Sequence, residues 1–243
     1  MFPVTQFQLE VLEECGSTQE VLLERRGAPD FQGAAVLALR QSAGQGRRGR
    51  GWETGQGNVA LSFGLKVSDA AFPLLTFAAG LALHEVISLY LPESADLRLK
   101  WPNDVYLDGK KLAGMLAQAR QVPGQPADVV VGIGVNLAHA PTGLPVPAVA
   151  VSEYAEPPKP EEFAREFLDT LSLLFDEYRD FSLLRADWEE AARLGEGTLL
   201  VVGETEPVRA EALLPSGELL VRSVSGVERK LASEEVSLRF HRD

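Results

Sequence analysis

Four glycines and three arginines stand within Gly44-Gln45-Gly46-Arg47-Arg48-Gly49-Arg50-Gly51, and the chain continues from them as loop and then strand, not helix. The segment Gly44-Gln45-Gly46-Arg47-Arg48-Gly49 spells G-x-G-x-x-G. A dinucleotide fingerprint needs a helix directly after that spelling, with its N-terminus on the pyrophosphate. Here Trp52 to Asn58 continue as loop. Val59, Leu61, Phe63 and Leu65 then alternate with Ala60, Ser62, Gly64 and Lys66, as in a half-buried strand. The doubly wound dinucleotide fold therefore fails on context. No Gly-Lys-Ser/Thr comes next to make a phosphate-binding P-loop.

The arginines matter because the rest of the chain is acidic, with a formal net charge of -12. A local cationic cradle in such a chain points to one bound anion. Glycines let backbone N–H groups approach a phosphate, and arginines add forked, charge-assisted donors. Taken alone, the loop also fits a solvated flexible segment or an Arg-Gly contact to RNA. Binding to phosphate backbones needs an extended basic face, whereas the basic residues here cluster only around Arg47 to Arg50 and around Lys110-Lys111. Nucleic acid is thus not the expected main partner.

A length of 243 residues, 45% of them hydrophobic, allows one ordinary core and a small satellite unit. No apolar stretch is long enough for a bilayer, and the N-terminus lacks a basic region followed by an apolar run. The expectation is a cytoplasmic protein with no membrane partner. The single cysteine, Cys15, excludes an intramolecular disulfide and reads as a small apolar residue. His84, His139 and His241 lie far apart, so no structural metal site is expected.

Ser17-Thr18-Gln19-Glu20 reads as a helix start with a capping box from Ser17 and Glu20; the helix runs to about Arg26. Gly33 to Leu39 has strand length. Pro73 to Leu91 reads as a helix with Leu74, Phe77, Leu81 and Leu89 among its apolar positions. Leu97 to Trp101, Val105 to Leu107, Lys111 to Arg120 and Asp128 to Asn136 form a strand meander, with turns at Pro102-Asn103-Asp104, Asp108-Gly109 and Pro123-Gly124. Ala140 to Pro160 is a long loop. An amphipathic helix comes next over Pro160 to Asp180, with Phe163, Phe167, Leu171, Leu174, Phe175 and Tyr178 on one face, and a second over Leu183 to Arg193. From Gly195 short strands (Leu199 to Val202, Val208 to Leu214, Leu219 to Val224, Glu228 to Ala232, Val236 to Leu238) alternate with turns, as in a small SH3-like β-barrel. The expected division is 1–194 and 195–243.

Three further motifs carry chemistry. Lys100-Trp101-Pro102-Asn103-Asp104 gathers a cation, an aromatic ring, an amide and a carboxylate at one turn, although taken alone a plain turn, with Trp101 in the core and Asp104 bonding its own backbone, is the better account. Lys110-Lys111-Leu112-Ala113-Gly114-Met115 opens a strand with small residues that would admit close approach to the backbone. Gly132-Ile133-Gly134-Val135-Asn136 ends an apolar strand. Glycines inside a strand cost stability, so close approach by a ligand is the inference, and Asn136 could meet an adenine edge or simply make a turn.

The order and spacing of Ser17-Thr18, Gly44 to Arg50, Lys100-Trp101-Pro102-Asn103-Asp104, Lys111-Leu112-Ala113-Gly114 and Gly132 to Asn136 resemble the biotin–protein ligases over about Cys15 to Asn136. The resemblance implies an α+β fold: a mixed, mostly antiparallel sheet with flanking helices, like the class II aminoacyl-tRNA synthetase core, plus the small C-terminal SH3-like unit. It implies activation of biotin by ATP to biotinyl-5′-adenylate, then transfer to a lysine of a biotin carboxyl carrier protein. Biotin would be a substrate, ATP a cosubstrate with Mg2+, and no prosthetic group would be held.

Carried over by residue, Ser17, Thr18 and Gln41 would bond the ureido ring of biotin, helped by backbone at Gly44, Gln45 and Gly114. Arg47 would sit at the α-phosphate, and Lys111 would orient the biotin carboxylate; these two are the candidate catalytic residues. Arg47, Arg48, Arg50, Trp52, Asn103 and Asn136 would serve the nucleotide. Asp104 is a candidate partner for the incoming lysine. The family likeness admits a homodimer. Ligases of this kind that repress transcription carry a DNA-binding domain ahead of the catalytic one; Ser17 leaves no room for it, so no DNA partner is expected. Two departures stand out. Gln45 replaces an arginine of the family pattern, removing one positive charge. Gln19 stands where asparagine is usual, with an effect expected on the helix start only. The rival readings are a lipoate or octanoyl ligase or transferase, a nucleic-acid-binding module and an inactive biotin-binding regulator.

Overall fold

The computed structural model describes residues 6–68, 71–121, 125–178, 180–232 and 238–240. The expected Pro123-Gly124 turn, His241 and the start of the expected last strand at 236–237 lie outside the described residues. The first part of the chain runs β1 (Gln8–Leu12), α1 (Thr18–Glu24), β2 (Ala34–Ala38), β3 (Val59–Val67), α2 (Leu75–Ser88), β4 (Leu97–Lys100), β5 (Asp104–Leu107), β6 (Lys110–Arg120), β7 (Ala127–Val135), α3 (Pro160–Glu177) and α4 (Phe181–Ala191). Seven strands form one sheet in the order β1-β2-β3-β7-β6-β5-β4. Only β1 and β2 pair in parallel; every other neighbour in this sheet is antiparallel. The sheet is thus mixed and mostly antiparallel, as expected.

Side chains alternate across a strand, and that period of two gives the sheet two different faces. On one face Val59, Leu61, Phe63 and Leu65 of β3, Ala113 and Met115 of β6, and Val129, Val131, Ile133 and Val135 of β7 join the main core with α2 and α3. The alternate positions are Ala60, Ser62 and Gly64 of β3, Gly114 and Gln118 of β6, and Gly132 and Gly134 of β7. This second face was expected to be half solvated. Ala60 and Ser62 are instead buried, because α1 lies across β2, β3 and β7 and the loop 41–58 folds over the rest. Leu22 of α1 and Phe31 anchor it in a small separate core with Val36 and Val130.

Most elements lie where the pattern puts them. The six apolar residues named on the 160–180 helix are all buried. Pro160 occupies its first turn with Glu161 and Glu162, where fixed φ and negative charge favour a helix start. The second helix starts earlier than Leu183, because Asp180 caps it by accepting from the Ser182 and Leu183 N–H groups at 2.8 and 3.3 Å. Pro73 lies in a 3-10 turn, Phe72–Leu74, that leads into α2, and Leu89 just past its end is 76% exposed rather than core. The strand β1 has no counterpart among the expected elements. Leu9 and Val11 pack on the core, and Gln8 and Glu10 mark the alternation that would have revealed it.

The C-terminal strands β8 (Leu199–Val201), β9 (Pro207–Leu213), β10 (Leu219–Ser223), β11 (Glu228–Leu231) and β12 (Leu238–Phe240) form a five-stranded antiparallel sheet in the order β11-β10-β9-β8-β12. Its apolar side chains Val201, Val208, Leu213, Leu219 and Val221 run into the main core. The Trp101 indole N–H donates to the Gly217 carbonyl at 3.0 Å, and the Leu213 N–H donates to Glu189 of α4 at 2.8 Å. The small sheet is therefore packed against the strand end that carries Trp101.

Gly64 tests the close fit of the second face. A Cβ there would lie 2.7 Å from the Phe31 carbonyl oxygen and 2.8 Å from its ring. Gly64→Ala should destabilise the protein by about 1–3 kcal/mol, measured by urea unfolding. An unchanged unfolding midpoint would show that Phe31 does not seal this face.

Candidate active site

Among the described residues the buried polar and charged side chains are Ser17, Thr18, Gln19, Asn58, Ser62, Lys100 and Asn136. A buried polar group without a partner is costly, so such groups cluster where function requires them. All but Lys100 lie on α1 or on β3 and β7 and their ends; Val59 pairs with Val135, which sets Asn58 beside Asn136. Lys100 closes β4 opposite Asp104, its ammonium 4.9 Å from the centre of the Tyr106 ring.

The start of α1 brings Ser17 and Thr18 onto the second face. Ser17 stands at the cap position, yet its hydroxyl makes no cap hydrogen bond and is buried without a partner. The expected capping box does not form. Glu20 instead accepts from the Gln45 amide at 2.7 Å, which ties the loop to the helix. The Thr18 backbone N–H donates to Gln41 Oε1 at 2.8 Å, and Gln41 Nε2 donates to Thr54 Oγ1 at 3.0 Å. Gln19 is only 3% exposed and reaches across the sheet to Gln118 and the Val130 carbonyl, so its effect is not confined to the helix start. Burial raises the Cys15 thiol pKa, with smaller contributions from Glu14 and Glu20, which favours the thiol over the thiolate.

The loop is a compact hairpin rather than a free segment. Trp52 N–H donates to the Gly44 carbonyl at 2.8 Å, and Gly46 N–H donates to the Arg50 carbonyl at 2.7 Å. Arg48 and Gly49 turn the tip with φ of 57° and 69°. Gly44 is required by approach, since a Cβ there would collide with the Trp52 carbonyl. Arg47 leaves the hairpin and donates to Asn103 Oδ1 at 2.8 Å, joining the loop to the Pro102-Asn103-Asp104 turn. Arg48 and Arg50 point outward on the exposed tip, Arg50 donating to the Arg47 carbonyl at 3.3 Å. Arg47 thus connects the arginine loop with a second motif.

The glycines of β7 are approached as the sequence suggested, but by this chain's own side chains. The Trp52 indole lies on Gly134 so closely that no Cβ fits, and Gln19 lies on Gly132. The indole N–H is buried and has no partner. Lys111 stands between the two halves of the site. Its ammonium is 5.6 Å from the centre of the Trp52 ring and 2.6 Å from Asp104 Oδ1. That oxygen has no aligned hydrogen-bond donor, so the contact to Lys111 is one of charge, not of direction. Gly114 opposite Asp104 leaves room for the Lys111 ammonium, 3.1 Å from where a Cβ would stand. Asn103 Nδ2 donates to the Met115 carbonyl at 2.6 Å. Asn136 Nδ2 donates to the Val149 carbonyl at 3.2 Å, while its Oδ1 is buried and unpartnered.

The residues that pattern reading missed are supports. Asn58 accepts from the Ala138 and His139 N–H groups at 2.9 and 3.1 Å and fixes the loop after β7. Ser62 lies 2.8 Å from the Thr18 hydroxyl. A serine at an inward position of an otherwise apolar strand was the available signal. In the 138–154 segment, Tyr154 is bonded to Asp108 at 2.5 Å; that bond, with burial second, pushes its pKa up to about 12. It ties the segment to the β5–β6 turn.

Two convergent cations, a small-residue sheet face and unpartnered buried polar atoms define a site for an anionic, hydrogen-bonding ligand. The family model of the Biotin/lipoate A/B protein ligase family matches residues 13–136, which hold all of these motifs. The chain belongs to that family. It is 39% identical to a biotin–acetyl-CoA-carboxylase ligase of Paracoccus denitrificans over 217 residues, 82% of this chain and 88% of that one. Among solved structures it is similar to the biotin protein ligase of Aquifex aeolicus in complex with biotin and ATP, with a TM-score of 0.78 and 26% identity over 96% of this chain and 99% of that one. It is also similar to the Leishmania major ligase in complex with biotinyl-5-AMP, with a TM-score of 0.67 and 25% identity over 93% and 98% of the two chains.

Gly134→Ala would push the Trp52 indole off β7 while leaving the rest of the sheet in place. Amide hydrogen exchange in residues 44–52 should then speed up, with little change in the exchange of α3. Unaltered protection of the loop would mean that the indole does not anchor it.

Proposed function

We propose that this protein is a biotin–protein ligase that activates biotin with ATP to biotinyl-5′-adenylate and transfers the biotinyl group to a lysine of a biotin carboxyl carrier protein. One observation carries the reading to these residues. Among the described residues, the buried side-chain polar atoms lacking an aligned hydrogen-bond partner belong to Ser17, Trp52, Asp104 and Asn136. All four belong to the residues singled out above; Asp104 is paired in charge with Lys111, and at the other three a polar ligand would complete the bonding.

The chemistry is dictated by charge. A free carboxylate resists attack by an amine, so it is first joined to the α-phosphate of ATP. Its oxygen forms the new P–O bond and pyrophosphate leaves. Two anions must meet, and fixed cations offset the repulsion and the charge that develops on the phosphate. Lys111, its ammonium 2.6 Å from Asp104, would orient the biotin carboxylate at the bridging oxygen. Arg47, bonded to Asn103, would cover the α-phosphate. Ser17, Thr18 and Gln41, with backbone at Gly44, Gln45 and Gly114, take the ureido ring; Trp52 packs the closed loop. Asn103 and Asn136 serve the nucleotide, and Arg48 and Arg50 add positive potential at the loop tip. In the second half-reaction the lysine amine attacks the acyl carbon, AMP leaves, and the amine loses a proton.

Magnesium would enter with ATP and offset phosphate charge. Among the described residues there is no cluster of three histidine, cysteine, aspartate or glutamate side chains to cage it. We take residues 1–194 as the catalytic unit, 195–243 as the small C-terminal unit packed on it, the cytoplasm as the place of action and a homodimer as the assembly admitted by family likeness.

The test is transfer. With Mg-ATP and biotin, a biotin carboxyl carrier domain should gain one biotinyl group on a single lysine, read by intact mass and peptide mapping. Gain with lipoate but not biotin would overturn the substrate; no gain with either would overturn the activity. Lys111→Ala should lower the rate of adenylate formation on the order of 10²–10³-fold, as the loss of one preorganised charge does. Arg47→Gly removes the link to Asn103 and should release adenylate, so that unrelated proteins become biotinylated. Retained selectivity for the carrier lysine would count against Arg47 as the clasp.

A further inference from the structure

Gln19 is a buried polar side chain that the proposed chemistry does not use. It passes over Gly132, where a Cβ would stand only 2.5 Å from Gln19 Oε1. Gln19 Nε2 lies 3.2 Å from the Val130 carbonyl and 2.9 Å from Gln118 Oε1. A backbone carbonyl only accepts, so the nitrogen must face Val130 and the orientation of the amide is fixed. Gln19 Oε1 therefore faces Ser62 Oγ, at 3.1 Å, as an acceptor.

Counting protons fixes the direction of the remaining bonds. A hydroxyl has one proton to give. Ser62 gives its proton to Gln19, so at the 2.8 Å contact between Ser62 and Thr18 it is Thr18 that donates. Thr18 then has no proton for Gln41 Oε1, 3.2 Å from its hydroxyl; that oxygen is served by the Thr18 backbone N–H at 2.8 Å. The reverse sense would leave Gln19 Oε1 buried without a donor, which is the more costly arrangement.

We propose that Gln19 is a positioning residue that sets substrate specificity by polarising the chain Thr18→Ser62→Gln19→Gln118. The chain leaves the Thr18 hydroxyl with lone pairs only, so the site accepts an acid that presents a ring N–H there and rejects one that presents an acceptor. This rests on the reading of the site as one for biotin, whose cyclic urea carries two ring N–H groups. A site built around one hydrogen-bond polarity discriminates strongly, because the mismatched partner leaves buried groups unpaired.

The probes are biotin and two isosteric cyclic carbamates, in which each ring N–H in turn is replaced by oxygen. The readout is acid-dependent pyrophosphate release with Mg-ATP. The wild-type protein should prefer biotin over one of the carbamates by about tenfold or more in KM, with similar kcat. Gln19→Met keeps the volume and removes the acceptor, which frees Thr18 to donate. It should shrink that preference to about threefold or less, by raising the KM for biotin and lowering that for the carbamate. Ser62→Ala breaks the chain at another point and should do the same. Gln19→Glu keeps an acceptor for Ser62 and should retain the preference. A preference unchanged in both Gln19→Met and Ser62→Ala, or a fall in kcat with KM unmoved, would overturn the proposal and leave Gln19 as packing. Absence of biotin-dependent release in the wild-type protein would overturn the ligase reading itself, and this inference with it.

Discussion

The structure depends on one sheet with two unlike faces. The period of two in β3, β6 and β7 sends Leu61, Phe63, Met115, Val131 and Ile133 into the core under α2 and α3. The same period sends Ser62, Gly114, Gln118, Gly132 and Gly134 to the other side. Small residues keep that side flat enough for side chains to lie directly on the backbone, as the Trp52 indole does on Gly134 and Gln19 does on Gly132. A rigid, fully bonded sheet thus becomes a floor, and the polar groups above it are held by elements whose own positions are set by the apolar core.

The cover over this floor is held by a few specific contacts. The loop 41–58 is fixed at its root by Gln41 to Thr18 and Thr54, at its side by Gln45 to Glu20, and at its far end by Arg47 to Asn103. Side-chain bonds of this kind are individually modest, and the Gln45–Glu20 and Arg47–Asn103 pairs are partly open to water. The loop can therefore open more readily than the strands beneath it. Gln45 fits this picture: an arginine there would pair its charge with Glu20, whereas an amide makes one neutral-to-charged hydrogen bond. On the other side of the site the C-terminal sheet bears on Trp101, whose indole is bonded to Gly217, and so supports the strand end that leads to Asn103 and Asp104.

The strand meander, the amphipathic helix over 160–177 and the small β-unit were legible because their periodicity and turn residues act locally. The motif residues were legible because their spacing resembles a known family. Other features depend on tertiary contacts that no local pattern encodes. Ser17 and Glu20 look like a capping box, but the Glu20 carboxylate accepts from Gln45 of the loop, and the Ser17 hydroxyl is buried without a partner. The face of β3 expected to be half open is closed by α1, whose docking depends on Leu22 and Phe31. Three arginines in one loop look equivalent in sequence; only the hairpin's backbone decides that Arg47 turns inward to Asn103 while Arg48 and Arg50 stay on the exposed tip. Asn58 acts through residues distant in the chain and carries no local signature, while Ser62 showed only as a serine within an otherwise apolar strand.

The central claim is that this floor and its covering loop form one site that joins a biotin carboxylate to ATP and keeps the product. The most direct measurement is pyrophosphate release with Mg-ATP and no carrier protein, run with biotin, lipoate and octanoate in parallel. The predicted result is a biotin-dependent burst of about one equivalent per site, with adenylate retained on the protein and slow turnover afterwards. Release driven by lipoate or octanoate instead, or no release with any of the three acids, would contradict it.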